Sequence, residues 1–125
     1  VLNSKASMQY CLGCHTSDKV KTVKDMVAYV RNAQKSVAEK DAAVAKKQDE
    51  TFDLLKVAIE GKKLDEKAIN EAKFKYAVAA YYKEFVYGNR GATPGEKVAH
   101  NPEKNRRYLE KALSVLDEAQ TILKN

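Results

Sequence analysis

The chain has 125 residues, 44% of them hydrophobic and 32% charged, with five Gly, two Pro, two Cys and no Trp. This excludes a disulfide scaffold or a low-complexity chain and predicts one all-α domain over residues 1–125. Its 23 Lys and Arg outnumber 17 Asp and Glu, for a formal net charge of +6, which favours an acidic partner or surface, yet the two signs alternate along helical faces, which argues against nucleic acid and for a solvated mixed-charge surface.

The first predicted element is a short helical piece from Met8 to His15, and it carries the most informative residues. Cys11-Leu12-Gly13-Cys14-His15 is a C-x-x-C-H pattern, the arrangement that attaches a haem through two thioethers. Two intervening residues let one backbone turn offer both thiols to the vinyl groups, and the next residue sets its imidazole on the iron. Cys11, Cys14 and His15 therefore act as one unit that holds one covalent haem c, with His15 as the proximal iron ligand. The same cysteine spacing occurs in redox dithiols and in halves of zinc sites. Both rivals lack support: no strand precedes Cys11, and His100 is far from the other three possible zinc ligands in the sequence. Thioether attachment implies a periplasm or its equivalent. Val1 begins no secretory leader and no apolar run approaches the length of a membrane span, so the chain reads as a processed, soluble form. Both thiols are then used on haem, and its ionised propionates bring the net charge to about +4.

Thr16, Ser17 and Asp18 offer caps for the next helix. From Ser17 to Glu60 there is neither Gly nor Pro, and Val23, Val30, Val37 and Val44 recur every seven residues, with Val20 and Val27 beside them. Phe52, Leu55 and Ile59 continue the stripe, so one long helix ended by Gly61 is predicted. Such a helix spans about 60 Å, more than the width of a globule of this size. It must break near Asp41 to Glu50, where the apolar stripe thins, or project and pack against a second copy; a homodimer through this helix is the reading we favour.

A third helix starts near Leu64, with Asp65 and Glu66 in its first turn, and runs through Ile69, Phe74, Val78 and Tyr81 to about Tyr87, where Gly88 stops it. Asn89 to His100 contains Gly91, Pro94 and Gly95 and is the one real loop. The fourth helix opens with Asn101 as N-cap and Pro102 at the first helical position, and directs Leu109, Leu113, Leu116 and Ile122 inward. The seven tyrosines, among them Tyr10, Tyr76, Tyr81, Tyr82 and Tyr87, read mainly as packing.

His100 lies where the loop enters the last helix. Without a haem it is an ordinary surface histidine; with one, it is the first candidate for the axial position opposite His15. Met8, Met26, a lysine or an open site are the alternatives. Met8 is only three residues from Cys11, and Met26 has an equal claim to be core filling.

The stretch Lys73–Asn125, with His100-Asn101-Pro102 followed by Tyr108, Leu109, Ala112, Leu113 and Leu116, resembles the C-terminal end of the ammonia-forming cytochrome c nitrite reductases and related multihaem cytochromes. The segment from Cys11 through the long helix is loosely similar to the part that follows a late haem motif in those enzymes. The resemblance implies that His100 is an axial haem ligand. It does not imply nitrite reduction, because the C-x-x-C-K attachment of the reducing haem and the substrate-binding residues of that family are missing here.

Two imidazoles, from His15 and His100, would leave no open coordination position and keep the iron low-spin in both oxidation states. The expected function is therefore electron transfer at low potential between redox donor and acceptor proteins, not catalysis. Lys19, Lys21 and Lys24 are the candidate basic docking rim, with an ordinary solvated helix face as the favoured competing account. The competing function is ligand binding or sensing at an open or displaceable distal site.

Overall fold

The computed structural model describes residues 5–14, 17, 19–87 and 102–125. Within them the chain forms four helices and no strand: α1 (Lys5–Leu12), α2 (Val23–Gly61), α3 (Glu66–Tyr87) and α4 (Pro102–Lys124). The all-α architecture expected from composition is the one observed.

Local chemistry sets the helix ends. The long helix begins six residues later than the cap-rich Thr16-Ser17-Asp18 suggested, and of these three Ser17 alone is among the described residues. Ser17 pairs with Val20 through two backbone hydrogen bonds of 3.1 and 3.2 Å instead of capping α2. Thr22 is the cap: its Oγ1 accepts from the Asp25 amide at 3.1 Å, and Asp25 Oδ2 accepts from the Thr22 and Lys21 amides at 3.0 Å each. This reciprocal box satisfies donors that a helix start otherwise leaves without partners. The Lys21 amide, then the Thr22 hydroxyl and amide, favour the charged carboxylate and hold Asp25 below its ordinary pKa of 3.8. At the other end Gly61 is the last helical residue and Lys62 takes the left-handed conformation, at φ 50°. Asp65 Oδ1 accepts from the Ala68 amide at 2.7 Å and caps α3. Pro102 opens α4, where its missing N–H costs nothing.

Helix α2 does not break. Its 39 residues form one rod about 58 Å long. Within Asp41–Glu50, where the apolar stripe thins, Val44 keeps the seam and Asp41, Lys47 and Gln48 reach the other helices. Lys83 of α3 lies 3.8 Å from Asp41 and 3.5 Å from Gln48; Lys40 pairs with Glu110 of α4 at 3.0 Å; Lys47 pairs with Asp117. One step further, Gln120 donates to the buried Thr51 hydroxyl at 3.0 Å. Long lysine side chains can occupy such positions because the stem packs while the ammonium reaches a carboxylate.

These pairs fix the topology. Ser36 and Arg106 are 70 positions apart, as are Lys47 and Asp117, and Thr51 and Gln120 differ by 69. A constant offset means that α2 and α4 run parallel and in register. Helix α3 runs antiparallel to both, since Val86 near its end packs with Val37 and Leu109, whereas Ala72 near its start packs with Leu55, Ala58 and Leu123. Seven-residue spacing recurs among the buried positions: Val30, Val37, Val44, Thr51 and Ala58 on α2, Ala72, Ala79 and Val86 on α3, and Leu109, Leu116 and Leu123 on α4. That period keeps one seam of each helix facing its neighbours, as in left-handed coiled coils.

The stripe thus continues through Thr51 and Ala58, not through Phe52 and Ile59, which are 51% and 45% exposed. On α3 the buried seam is Ala72, Ala79 and Val86, and Phe74 and Tyr81 lie on the exposed side. Leu109 and Leu116 are fully buried as expected, while Leu113 and Ile122 are half-buried partners of the clusters. The final link is α1, which lays Met8 against Met26 and Val30 of α2. Those two residues share the face of α2 that Val37 and Val44 turn toward α3 and α4, so α1 sits along the same face, one step nearer the start of the rod.

Candidate functional site

The two cysteines lie at the C-terminal end of α1. Cys11 is in the last turn, half-buried in the cluster formed by Met8, Met26 and Val30; Cys14 lies just beyond and is exposed. The backbone closes on itself here: the Gly13 amide donates to the Tyr10 carbonyl at 3.1 Å and the Cys14 amide to the Cys11 carbonyl at 3.2 Å. One tight turn therefore separates the two sulfurs, as double attachment to a single planar group requires. Gly13 eases this turn, because a Cβ on it would come within 3.2 Å of the Tyr10 carbonyl oxygen, a tight contact that a shift of a few tenths of an ångström relieves. Both thiols are free.

The environments of the two thiols differ usefully. Cys11 faces apolar side chains that would cover one edge of a bound porphyrin, while Cys14 is open to solvent, where attachment chemistry can reach it. No group of three or more His, Cys, Asp and Glu side chains gathers among the described residues, so nothing there completes a zinc site around the cysteine pair. The donor set of two free thiols one turn apart fits a haem, which would be held by Cys11 and Cys14. His15 and His100, the expected iron ligands, lie outside the described residues, as do Asn101 and the predicted loop before it.

The two methionines can be weighed directly. Met8 and Met26 are both buried in one cluster with Val30, against which Cys11, Leu12, Val20, Val23 and Val27 pack. That is core filling by flexible thioethers. Tyr10 is exposed beside the motif, and Tyr76, Tyr82 and Tyr108 pack on the central clusters. Lys19 and Lys21 are exposed on the segment after the motif, and Lys24 is exposed on the first turn of α2.

A family model for cytochrome c552 matches residues 2–125. The chain belongs to the cytochrome c552 family. No curated protein and no solved structure matches it at a significant level. As a member of this family the chain is a c-type cytochrome, haem is its cofactor, and electron transfer with redox partners is its general function. No helix among the described residues is long and apolar enough to cross a membrane.

Sequence reasoning missed several features around this site. The Thr22–Asp25 box carries a readable T-x-x-D signal, but three earlier polar residues competed with it. The parallel register of α2 and α4 has no local signature, because it rests on pairs about 70 positions apart.

Proposed function

We propose that this cytochrome carries one haem c joined to Cys11 and Cys14, with His15 and His100 as the two axial ligands of a low-spin, low-potential iron, and that it shuttles electrons between proteins of the periplasm. One observation carries the reading. The register that pairs Ser36 with Arg106 and Lys40 with Glu110 sets Pro102, the first residue of α4, beside Asn32 of α2. Cys11 packs against Met26 and Val30 of the same face. The attachment helix and the start of α4 thus meet within about two turns, roughly 9 Å, along one side of α2. His15 follows Cys14 directly, and His100 precedes Pro102 by two residues, a span of about 7 Å at most. The resemblance of His100-Asn101-Pro102 to a ligand motif of multihaem cytochromes supports the same assignment.

The haem supplies the one-electron couple. The chain's own residues would fix the rest: Cys11 and Cys14 would anchor it, the apolar cluster of Met8, Met26 and Val30 against which Cys11 packs would shield the attachment site from water, and imidazoles of His15 and His100 would leave no position for a substrate. Paired nitrogen ligands favour the ferric state and so lower the potential. Between Val23 and Arg31, α2 extends about 14 Å past the start of α4, and this length, with Phe52 and Ile59 exposed one heptad apart, supports a homodimer through α2, which sedimentation would test.

The deciding experiment compares optical and paramagnetic resonance spectra of the wild type and His100→Ala. A low-spin ferric signal that turns high-spin in the variant, with new carbon monoxide binding to the ferrous form, is expected. Unchanged low-spin signals would remove His100 from the iron and open the sensing alternative.

A further inference from the structure

We infer that the cleft at the turn between α2 and α3 binds a small amphipathic anion, an acidic head on a short apolar tail, in the manner of a medium-chain carboxylate. The cleft holds about 300 Å³, a size at which small-ligand sites begin. Its apolar wall is Ile59 from the last turn of α2, Leu64 from the connection and Ile69 from the first turn of α3. Leu64 and Ile69 are half-buried, and Leu64 rests on the cluster of Leu55, Ala58, Ala72 and Leu123, so the core fixes this wall. Ile59 is 45% exposed and open to a ligand.

Two cations complete the cleft. Lys62 and Lys73 line it, and neither ammonium enters an ion pair among the described residues. The lysines that face another helix elsewhere, Lys40, Lys47, Lys75 and Lys83, each meet an Asp or Glu. Glu66 is the one carboxylate among the lining residues, so two cations against one anion leave the cleft net positive. An apolar wall beside an ammonium suits a tail and a charged head together. The backbone of Lys62 points the same way. It holds the left-handed conformation, φ 50°, where glycine alone is free of strain, and Gly61 stands one position too early to relieve it. Strain kept in this way gathers at ligand sites, and here it sets a charged side chain in the cleft wall. The site is remote from the haem attachment. Ile59 lies roughly 44 Å along α2 from Val30, whose cluster Cys11 joins, so a ligand bound here acts independently of the electron-carrier reading.

The test titrates octanoate, below its micelle concentration, into the haem-loaded protein and follows amide and methyl resonances. Saturable shifts confined to Ile59, Leu64, Ile69 and their neighbours are expected. Acetate, which lacks the tail, and octanol, which lacks the charge, should each bind at least about fivefold more weakly. Lys62→Gly/Lys73→Gln should weaken octanoate about tenfold. Lys62→Gly alone should weaken it several-fold while raising the urea midpoint, which separates lost binding from lost folding. Equal affinity for octanol, or unchanged octanoate affinity in the double variant, overturns the assignment. So do shifts spread over Phe74, Tyr81 and Phe85, which would mean unspecific apolar contact, or a change in sedimentation on titration, which would make Ile59 a subunit contact. A haem spectrum that moves with octanoate would place the carboxylate at the iron and count against the bis-histidine reading as well; absence of binding with an unmoved spectrum sinks this site alone.

Discussion

Gln120 donates to the hydroxyl of Thr51 at 3.0 Å inside the bundle, and Thr51 donates in turn to the Lys47 carbonyl at 2.7 Å. The pair ties α4 to α2 at a position where both seams would otherwise be apolar. Thr51→Val removes the acceptor and leaves a buried amide without its partner, at an expected cost of about 1–3 kcal/mol. Adding Gln120→Leu should recover most of that loss, because both polar groups are then gone. Urea denaturation of the single and double variants checks this, and additive losses would show that the pair is not coupled.

The Thr22–Asp25 box predicts a pH dependence with a definite sign. Hydrogen bonds from the Lys21 and Thr22 amides lower the Asp25 pKa in the folded chain. Its contribution is therefore complete above the ordinary value of 3.8 and is lost as pH falls through the lower folded value. Asp25→Asn should flatten the acid limb of the stability profile and leave the neutral limb parallel to that of the wild type. Thr22→Ala, which removes the other half of the box, should cost about 1 kcal/mol at neutral pH.

Lys62 holds a left-handed backbone at φ 50°, directly after Gly61. An L side chain in that region is strained by roughly 1 kcal/mol, which glycine avoids. Lys62→Gly should raise stability by about that amount in thermal or chemical melts. Gly61→Ala should also be tolerated, since the nearest atom to an added Cβ is a Lys63 side-chain carbon at 4.0 Å.

Met26 is buried against Met8 and Val30. Met26→Ala should destabilise the protein by about 2–4 kcal/mol through the cavity it leaves, and the low-spin ferric signal should persist. A change of spin state in a still-folded Met26→Leu variant would instead make this sulfur an iron ligand.

The residues differ in how far their roles could be read in advance. Cys11 and Cys14 announce themselves because attachment chemistry needs a fixed spacing, and Val30, Val37 and Val44 because a seven-residue recurrence has few other causes. Hydropathy misled at Phe52 and Ile59: they are more apolar than Thr51 and Ala58, yet the latter sit on the seam, and geometric phase decides which side is buried. Ala72 and Ala79 were passed over because a small side chain gives no hydrophobic signal, although its size lets neighbouring helices pack close. Lys47 lies in the stretch where the apolar stripe thins, and its partner, Asp117, comes from the far end of the chain. Pairing over such a distance leaves no trace in any local window.

The unbroken rod of α2 works as a cantilever. From Val37 onward it is clamped between two neighbours, while its Val23–Val30 end has the short α1 resting on it. Among the described residues that end packs against α1 alone, and we expect amides of Val27–Val30 to exchange hydrogen for deuterium before those of Val44–Leu55. Simultaneous exchange at both ends would refute that order.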